Sequence, residues 1–250
     1  MQIALIVALC VGGATVIGAF IGFIFKNITH KFSDITLALA AGIMLAAAIF
    51  GLIIPSADNG SRGGILITVL GITVGALLIF FIDMAVERLE APEINSGRSE
   101  SAEAISGAIP FVIAIAIHNI PEGIAAGVGF GSDSISDAIM IAGGIALQNI
   151  PEGMVVISPL LSLGMRSGRA FFLAALTGAV EVAGVIIGYY AVSVASVILP
   201  FALAFAGGTM LYVICDEMIP KPRLDGAGRG ATFAFLFGFC LMLAIDAYLS

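Results

Sequence analysis

The sequence HNIPEG at residues 118–123 returns as QNIPEG at residues 148–153, and each copy lies within a long apolar stretch. Each copy therefore places a proline and a carboxylate where a helix would cross a membrane. The proline removes a backbone N–H donor, and the carboxylate leaves water, so both are costly without compensating partners. Polar groups at that depth are tolerated where they line a cavity or bind one another, which indicates that the two copies face each other.

Composition places the whole chain in the membrane. It has 250 residues, of which 60% are hydrophobic and 11% are charged, whereas soluble domains carry about 25% charged residues. The apolar run at 3–25 lacks a basic segment before it, so it predicts a first spanning helix and not a cleaved signal peptide. The net charge of −7 gives no indication of a nucleic-acid partner, and the three cysteines indicate no disulfide framework.

The predicted fold is an all-α integral membrane protein with eight transmembrane helices. About 20 apolar residues are needed to cross roughly 30 Å of hydrocarbon, and eight runs of that kind are separated by short polar breaks. The runs cover residues 2–25, 34–55, 64–86, 105–131, 135–160, 169–192, 196–219 and 230–249.

The positive charges predict the orientation of these helices. The chain has ten Lys and Arg residues, and all except Arg62 fall in the loops that follow helices one, three, five and seven. Because basic residues are retained in the cytoplasm, those loops are predicted to be cytoplasmic and both termini to lie outside a cell membrane.

The chain reads as one transporter domain, 1–250, with inverted internal symmetry. It divides into helices one to three (1–86), an acidic cytoplasmic loop (87–104), helices four and five with the repeated motif (105–160), and helices six to eight (161–250). Consecutive helices cross in opposite directions, so the two motif copies are related by inversion. A fainter echo relates 41–55 to 206–220. A 3+2+3 inverted repeat is typical of secondary transporters.

The motif spacing groups several metal-ligand side chains. His118 and Glu122 are four residues apart and share one face of helix four, and Gln148 and Glu152 do the same on helix five. Asn119 and Asn149 border these faces, and a third buried carboxylate, Glu181, lies in the glycine-rich middle of helix six.

These side chains predict a site for one or two divalent cations at the middle of the membrane. The carboxylates Glu122, Glu152 and Glu181 lie at mid-membrane depth without a Lys or Arg to pair with them. One imidazole together with carboxylate and amide oxygens suits Zn²⁺, Fe²⁺, Mn²⁺ or Co²⁺ better than Cu⁺, which prefers sulfur.

Several residues outside the motif also have functional interpretations. Asp83, Asp216 and Glu217, near the cytoplasmic ends of helices three and seven, are either interfacial caps or part of an exit path for cations. Met44 in helix two is either a core residue or a pathway ligand through its thioether. His30 is interpreted as a solvated loop residue.

The doubled Asn-x-Pro-Glu-Gly motif, with His118 before the first copy and Glu181 in helix six, resembles the Zrt/Irt-like (ZIP) metal transporters. Gln148 at the start of the second copy resembles the GufA-like branch. The resemblance implies uptake of zinc toward the cytoplasm by an eight-helix protein that frequently forms homodimers. Fe²⁺, Mn²⁺, Cd²⁺ and Co²⁺ are further candidate substrates, and Met44 matches a helix-two methionine that lines the family's pathway.

The resemblance also implies a binuclear site with two shared glutamates. His118 and Gln148 would complete one half, Asn119, Asn149 and Glu181 the other, and Glu122 and Glu152 would bridge the metals. Many members of the family carry a carboxylate where Asn149 stands, so this chain departs from the family pattern at the second metal.

Three other functions compete with metal transport. An intramembrane metalloprotease needs two histidines and a general base on a helix, as in H-E-x-x-H, but only His30 and His118 exist. A cation-coupled transporter of a small organic substrate predicts cationic or aromatic groups at mid-membrane depth, and this sequence has none there. A passive channel with the same ligands would differ in its flux kinetics.

Overall fold

The computed structural model describes residues 2–25, 28–58, 62–89, 100–131, 135–194, 196–219 and 228–249, and their regular secondary structure is entirely helical. Eight long helices account for most of these described residues. They are α1 (Gln2–Ile24), α2 (His30–Ala57), α3 (Arg62–Leu89), α4 (Glu100–Val128), α5 (Ile135–Ser162), α6 (Ser167–Val194), α7 (Leu199–Met218) and α8 (Gly228–Leu249).

Length and hydropathy confirm an all-α integral membrane protein. Within the described ranges, seven helices (all except α4) are long and apolar enough to cross a membrane. Each of the eight predicted apolar runs falls on one helix. The predicted 87–104 loop is shorter than expected, because α3 continues to Leu89 and α4 already begins at Glu100. The rest of that acidic loop lies outside the described residues.

The departures from α-helical geometry lie in α2 and α7. α2 changes to a π-helix over Ala47–Ile53, and α7 ends in a π-helix over Ile214–Met218. α4 and α5 remain α-helical through Pro121 and Pro151, although each proline removes a backbone N–H donor. π-Segments leave backbone groups out of the regular ladder and occur frequently at functional sites.

Glycines bring the two motif copies against neighbouring backbones. α1 packs on α5 and α6, and α4 packs on α6. A Cβ atom on Gly123 would overlap the backbone carbonyl oxygen of Glu181, and one on Gly153 would overlap that of Thr15. This close approach places α4 and α5 beside the middle turns of α6 and α1.

The other four helices form two further pairs, α2 with α8 and α3 with α7. α3 and α8 are the least buried spans, with 22% and 17% of their most apolar windows inside the protein. Large apolar side chains therefore cover the outside of the bundle, as expected where lipid is the solvent. The cysteines Cys10, Cys215 and Cys240 also lie on this exposed surface, and not in the core position that their apolar surroundings suggest.

Candidate metal site

Glu181 on α6 is the centre of a buried hydrogen-bond cluster to which four helices contribute. Thr15 on α1 donates from Oγ1 to Glu181 Oε1 over 2.7 Å, and the Asn119 amide on α4 donates to the same oxygen. The Asn149 amide on α5 donates to Glu181 Oε2 over 2.7 Å. Every one of these four residues is buried. The structure thus brings together three predicted ligands, Asn119, Asn149 and Glu181.

A second contact joins the two motif copies directly. The Gln148 amide on α5 donates to Glu122 Oε1 on α4 over 2.9 Å, and both side chains are buried. Glu152 is half-buried and lies within electrostatic range of both Glu122 and Glu181. The three carboxylates therefore form one cluster, supplied by α4, α5 and α6.

The side-chain amides of Asn119, Gln148 and Asn149 donate their N–H groups to carboxylates. Their carbonyl oxygens accept no hydrogen bond from any described residue. Among the described residues, buried side-chain oxygens that accept no hydrogen bond include four on predicted ligands. These atoms are Asn119 Oδ1, Glu122 Oε2, Gln148 Oε1 and Asn149 Oδ1. A buried polar atom without a partner costs about 1–3 kcal/mol. Buried carboxylate and amide oxygens of this kind are suitable ligands for a divalent cation.

His118 contacts two further carboxylates. Its Nε2 atom lies 3.2 Å from Asp83 Oδ1 on α3 and 3.0 Å from Glu217 Oε1 on α7. The three ligand atoms lie within 4.8 Å of one another, close enough to hold one metal ion. Asp83 and Glu217 thus share one histidine partner, whereas Asp216 is exposed outside this group. Motif spacing alone grouped His118 only with Glu122, Gln148 and Glu152.

A cavity of about 320 Å³ extends from the site between α2, α4, α5 and α7. His118, Glu152 and Glu217 contribute to its wall, and so does His30 at the start of α2. His30 is the first residue of α2, so its interpretation as a loop residue is wrong. The complete lining is His30, Ser33, Asp34, Leu37, Ile115, His118, Glu152, Val155, Val156, Pro159, Val213, Glu217 and Met218.

Two residues show the limits of reasoning from motifs. Met44 is 1% exposed and belongs to the main hydrophobic cluster, so its part in a metal pathway stays a prediction. The sequence gives no indication that Thr15 belongs to the site, although its hydroxyl donates a hydrogen bond to Glu181. A lone threonine in an apolar helix carries no motif, and only its place in the internal repeat could have identified it.

The fold and the cluster define a polytopic helical membrane protein with metal-ligand side chains buried between its helices. A family model described as "ZIP Zinc transporter" matches residues 87–246. The chain belongs to this ZIP family and, within it, to the GufA-like branch.

Relatives align along nearly the whole length of the chain. It is 36% identical to "Zinc transporter GufA" of Myxococcus xanthus over 252 residues, covering 98% of both chains. It is 30% identical to "Zinc transporter ZIP11" of Homo sapiens, covering 94% of this chain and 93% of that protein. It is 33% identical to "Zinc transporter ZupT" of Chlorobaculum parvum, covering 96% and 95%.

Proposed function

We propose that this protein transports divalent metal cations, zinc first among them, across a cell membrane through the Glu122–Glu152–Glu181 cluster. The observation that carries the proposal is the set of buried oxygens at this cluster that accept no hydrogen bond. Family membership supports the same conclusion, since the relatives are named zinc transporters. Transport also explains why an apolar chain keeps three carboxylates together at this depth.

The proposed site holds two metal ions with Glu122 and Glu152 as shared ligands. His118 and Gln148 complete the first site, and the hydrogen-bonded group around Glu181 supplies the second. The spare amide oxygens of Asn119 and Asn149 support the second site, because each remains available after its N–H group has been used. Neutral amides bind a cation more weakly than carboxylates, so the second site is the weaker one.

The proposed architecture is a 3+2+3 inverted repeat, and the glycine contacts support it. Gly18 on α1 abuts the carbonyl of Ile150 on α5, while Gly184 on α6 abuts the carbonyl of Ile120 on α4. The two glycines are 166 residues apart (18 to 184), and the two isoleucines occupy the same position of the repeated motif.

The same relationship extends to the outer helices. Gly42 on α2 abuts the carbonyl of Phe235 on α8, and Gly208 on α7 abuts that of Ile72 on α3. The spacing is again 166 (42 to 208), one residue more than the 165 of the sequence echo. The repeats therefore pair α1 with α6, α2 with α7, α3 with α8 and α4 with α5. π-Segments in both α2 and α7 agree with that pairing.

Transport is proposed to run toward the cytoplasm, with both termini outside. Basic residues in the loops after helices one, three, five and seven support this orientation. The cavity below His118 then opens on the cytoplasmic side, since it follows α2 toward its first residue. His118 and Glu217 line this cavity together with Glu152 of the cluster, and the Asp83–His118–Glu217 group would receive the ion on its way out.

The protein is also proposed to act as a homodimer, with α3 and α8 as the candidate faces because they are the least buried spans.

The test of the whole proposal is uptake by purified full-length protein in liposomes that contain a metal indicator. The expected result is saturable uptake of Zn²⁺ with weaker uptake of Mn²⁺, Fe²⁺, Co²⁺ and Cd²⁺. Flux that stays linear with concentration would indicate a channel, and no flux above empty liposomes would reject metal transport.

A further inference from the structure

One face of α2 forms a wall of the cavity opposite the metal cluster. His30, Ser33, Asp34 and Leu37 follow the spacing of a single helical face, and all four line the cavity. The chain contains two histidines. Both line this cavity, His118 from α4 and His30 from the first turn of α2.

Asp34 is the second notable residue of this face. Its carboxylate-bearing side chain is only 7% exposed and lies in a candidate membrane-spanning helix, where a buried charge is costly. His30 and Asp34 are four residues apart, which places their Cβ atoms about 5–6 Å from each other on a helix. An imidazole nitrogen and a carboxylate oxygen at that separation are ligands suited to zinc and similar divalent cations.

We propose that His30 and Asp34 form an outer cation-binding station, which takes up the ion after Glu217 and passes it to the aqueous phase. This inference rests on the proposed transport function. Two protein ligands leave the remaining coordination positions to water, because zinc takes about four ligands. The outer station is therefore weaker than the Glu122–Glu152–Glu181 cluster, as a release site must be if the ion is to leave.

A structural role for Asp34 makes a different prediction. A carboxylate near the N-terminal turn stabilises a helix through its dipole, and that effect needs neither His30 nor a metal ion. The outer station requires instead that both residues respond to zinc and that loss of either weakens the response of the other. An experiment that observes the His30 imidazole directly distinguishes the two roles.

The direct test uses selective labelling with ¹⁵N-histidine, since the chain gives only two histidine signals. In a His118→Asn, Glu122→Ala variant, His30 is the sole remaining histidine and the central site is disabled. Titration with Zn²⁺ alone should shift the His30 ring nitrogens in a saturable way. Asp34→Asn should weaken that response by roughly tenfold or more, as loss of a ligand or its supporting group does. Asp58→Asn, an exposed carboxylate at the other end of α2, should leave it unchanged.

A transport assay gives the second readout. In otherwise native protein, His30→Ala and Asp34→Asn should lower the maximal rate of zinc uptake several-fold, while zinc affinity at the central cluster stays the same. An unshifted His30 signal at saturating zinc, or an equal shift with Asp34→Asn, overturns the outer station. If Glu122→Ala leaves uptake normal, the proposed central site fails instead, whatever the His30 signal shows. The two-signal spectrum of the native protein provides the same test if the double variant does not fold.

Discussion

Thr15 on α1 donates its hydroxyl to Oε1 of Glu181 on α6 over 2.7 Å, and both residues are buried. They are 166 residues apart (15 to 181), the same spacing that relates the packing glycines of α1 and α6. The two residues would thus occupy equivalent positions in the proposed inverted repeat, and they meet between α1 and α6. On that proposal, one copy of the repeat supplies a hydroxyl there and the other supplies a carboxylate.

Thr15→Val is expected to destabilise the protein, because the isosteric methyl group removes a donor from a buried carboxylate. The expected loss is about 1–3 kcal/mol in free energy of unfolding, measured by thermal denaturation of the purified protein in detergent. Thr15→Ser keeps the hydroxyl and provides the matched control. Equal destabilisation by valine and serine would mean that the hydrogen bond contributes nothing measurable.

Gly123→Ala is expected to displace α4 from α6. The added methyl group would overlap the carbonyl oxygen of Glu181, and overpacking of this kind costs about 1–3 kcal/mol. Gly143→Ala on α5 is the control, since its Cβ would meet no atom within 4 Å and alanine is the better helix former. The two variants should therefore differ in thermal midpoint, with Gly123→Ala lower and also impaired in zinc binding. A Gly123→Ala protein as stable as Gly143→Ala would contradict the close contact.

His118→Ala is expected to reduce zinc affinity more than manganese affinity. His118 would supply the imidazole of the proposed first metal site, and nitrogen ligation favours zinc over manganese. The expected loss for zinc is roughly tenfold or more, of the size seen when ligand-supporting groups are removed. Competition binding with both metals measures the two affinities on one sample. Equal losses would mean that His118 acts through Asp83 and Glu217 and does not bind the metal.

Metal binding is expected to strengthen as pH rises. Ligation needs deprotonated carboxylates and a neutral imidazole, so protons compete with the metal and each binding event releases protons. Calorimetric titration with Zn²⁺ or Cd²⁺, in buffers of different ionisation enthalpy, counts the protons released. Glu181→Gln removes one competing carboxylate and should lower that count. A count of zero that Glu181→Gln does not change would contradict proton competition at this site.

Much of the architecture was predictable because membrane helices obey strict rules of length and hydropathy. The eight predicted apolar runs each fall on one helix. The grouping of Asn119 and Asn149 with Glu181 likewise agrees with the family resemblance. A repeated motif is informative because each copy fixes the depth of its side chains in the bilayer.

Long-range neighbours were not predictable in the same way. Spacing along α4 places His118 on the same face as Glu122, but it cannot reveal that Asp83 on α3 and Glu217 on α7 approach the same imidazole. The π-segments of α2 and α7 were also missed, since no residue pattern distinguishes them from α-helix. The sequence predicts a loop at His30, since basic residues flank it. Only the packed structure shows that His30 shares a cavity with His118.

The central claim is that Glu122 and Glu152 hold the transported ion. Zinc uptake into liposomes, measured with purified Glu122→Gln and Glu152→Gln proteins of unchanged size-exclusion profile, tests it most directly. Glutamine preserves shape but removes the charge needed to hold the cation, so each variant should fall to the background of empty liposomes, while Asp58→Asn transports normally. Uptake near the wild-type rate by either glutamine variant would contradict the account.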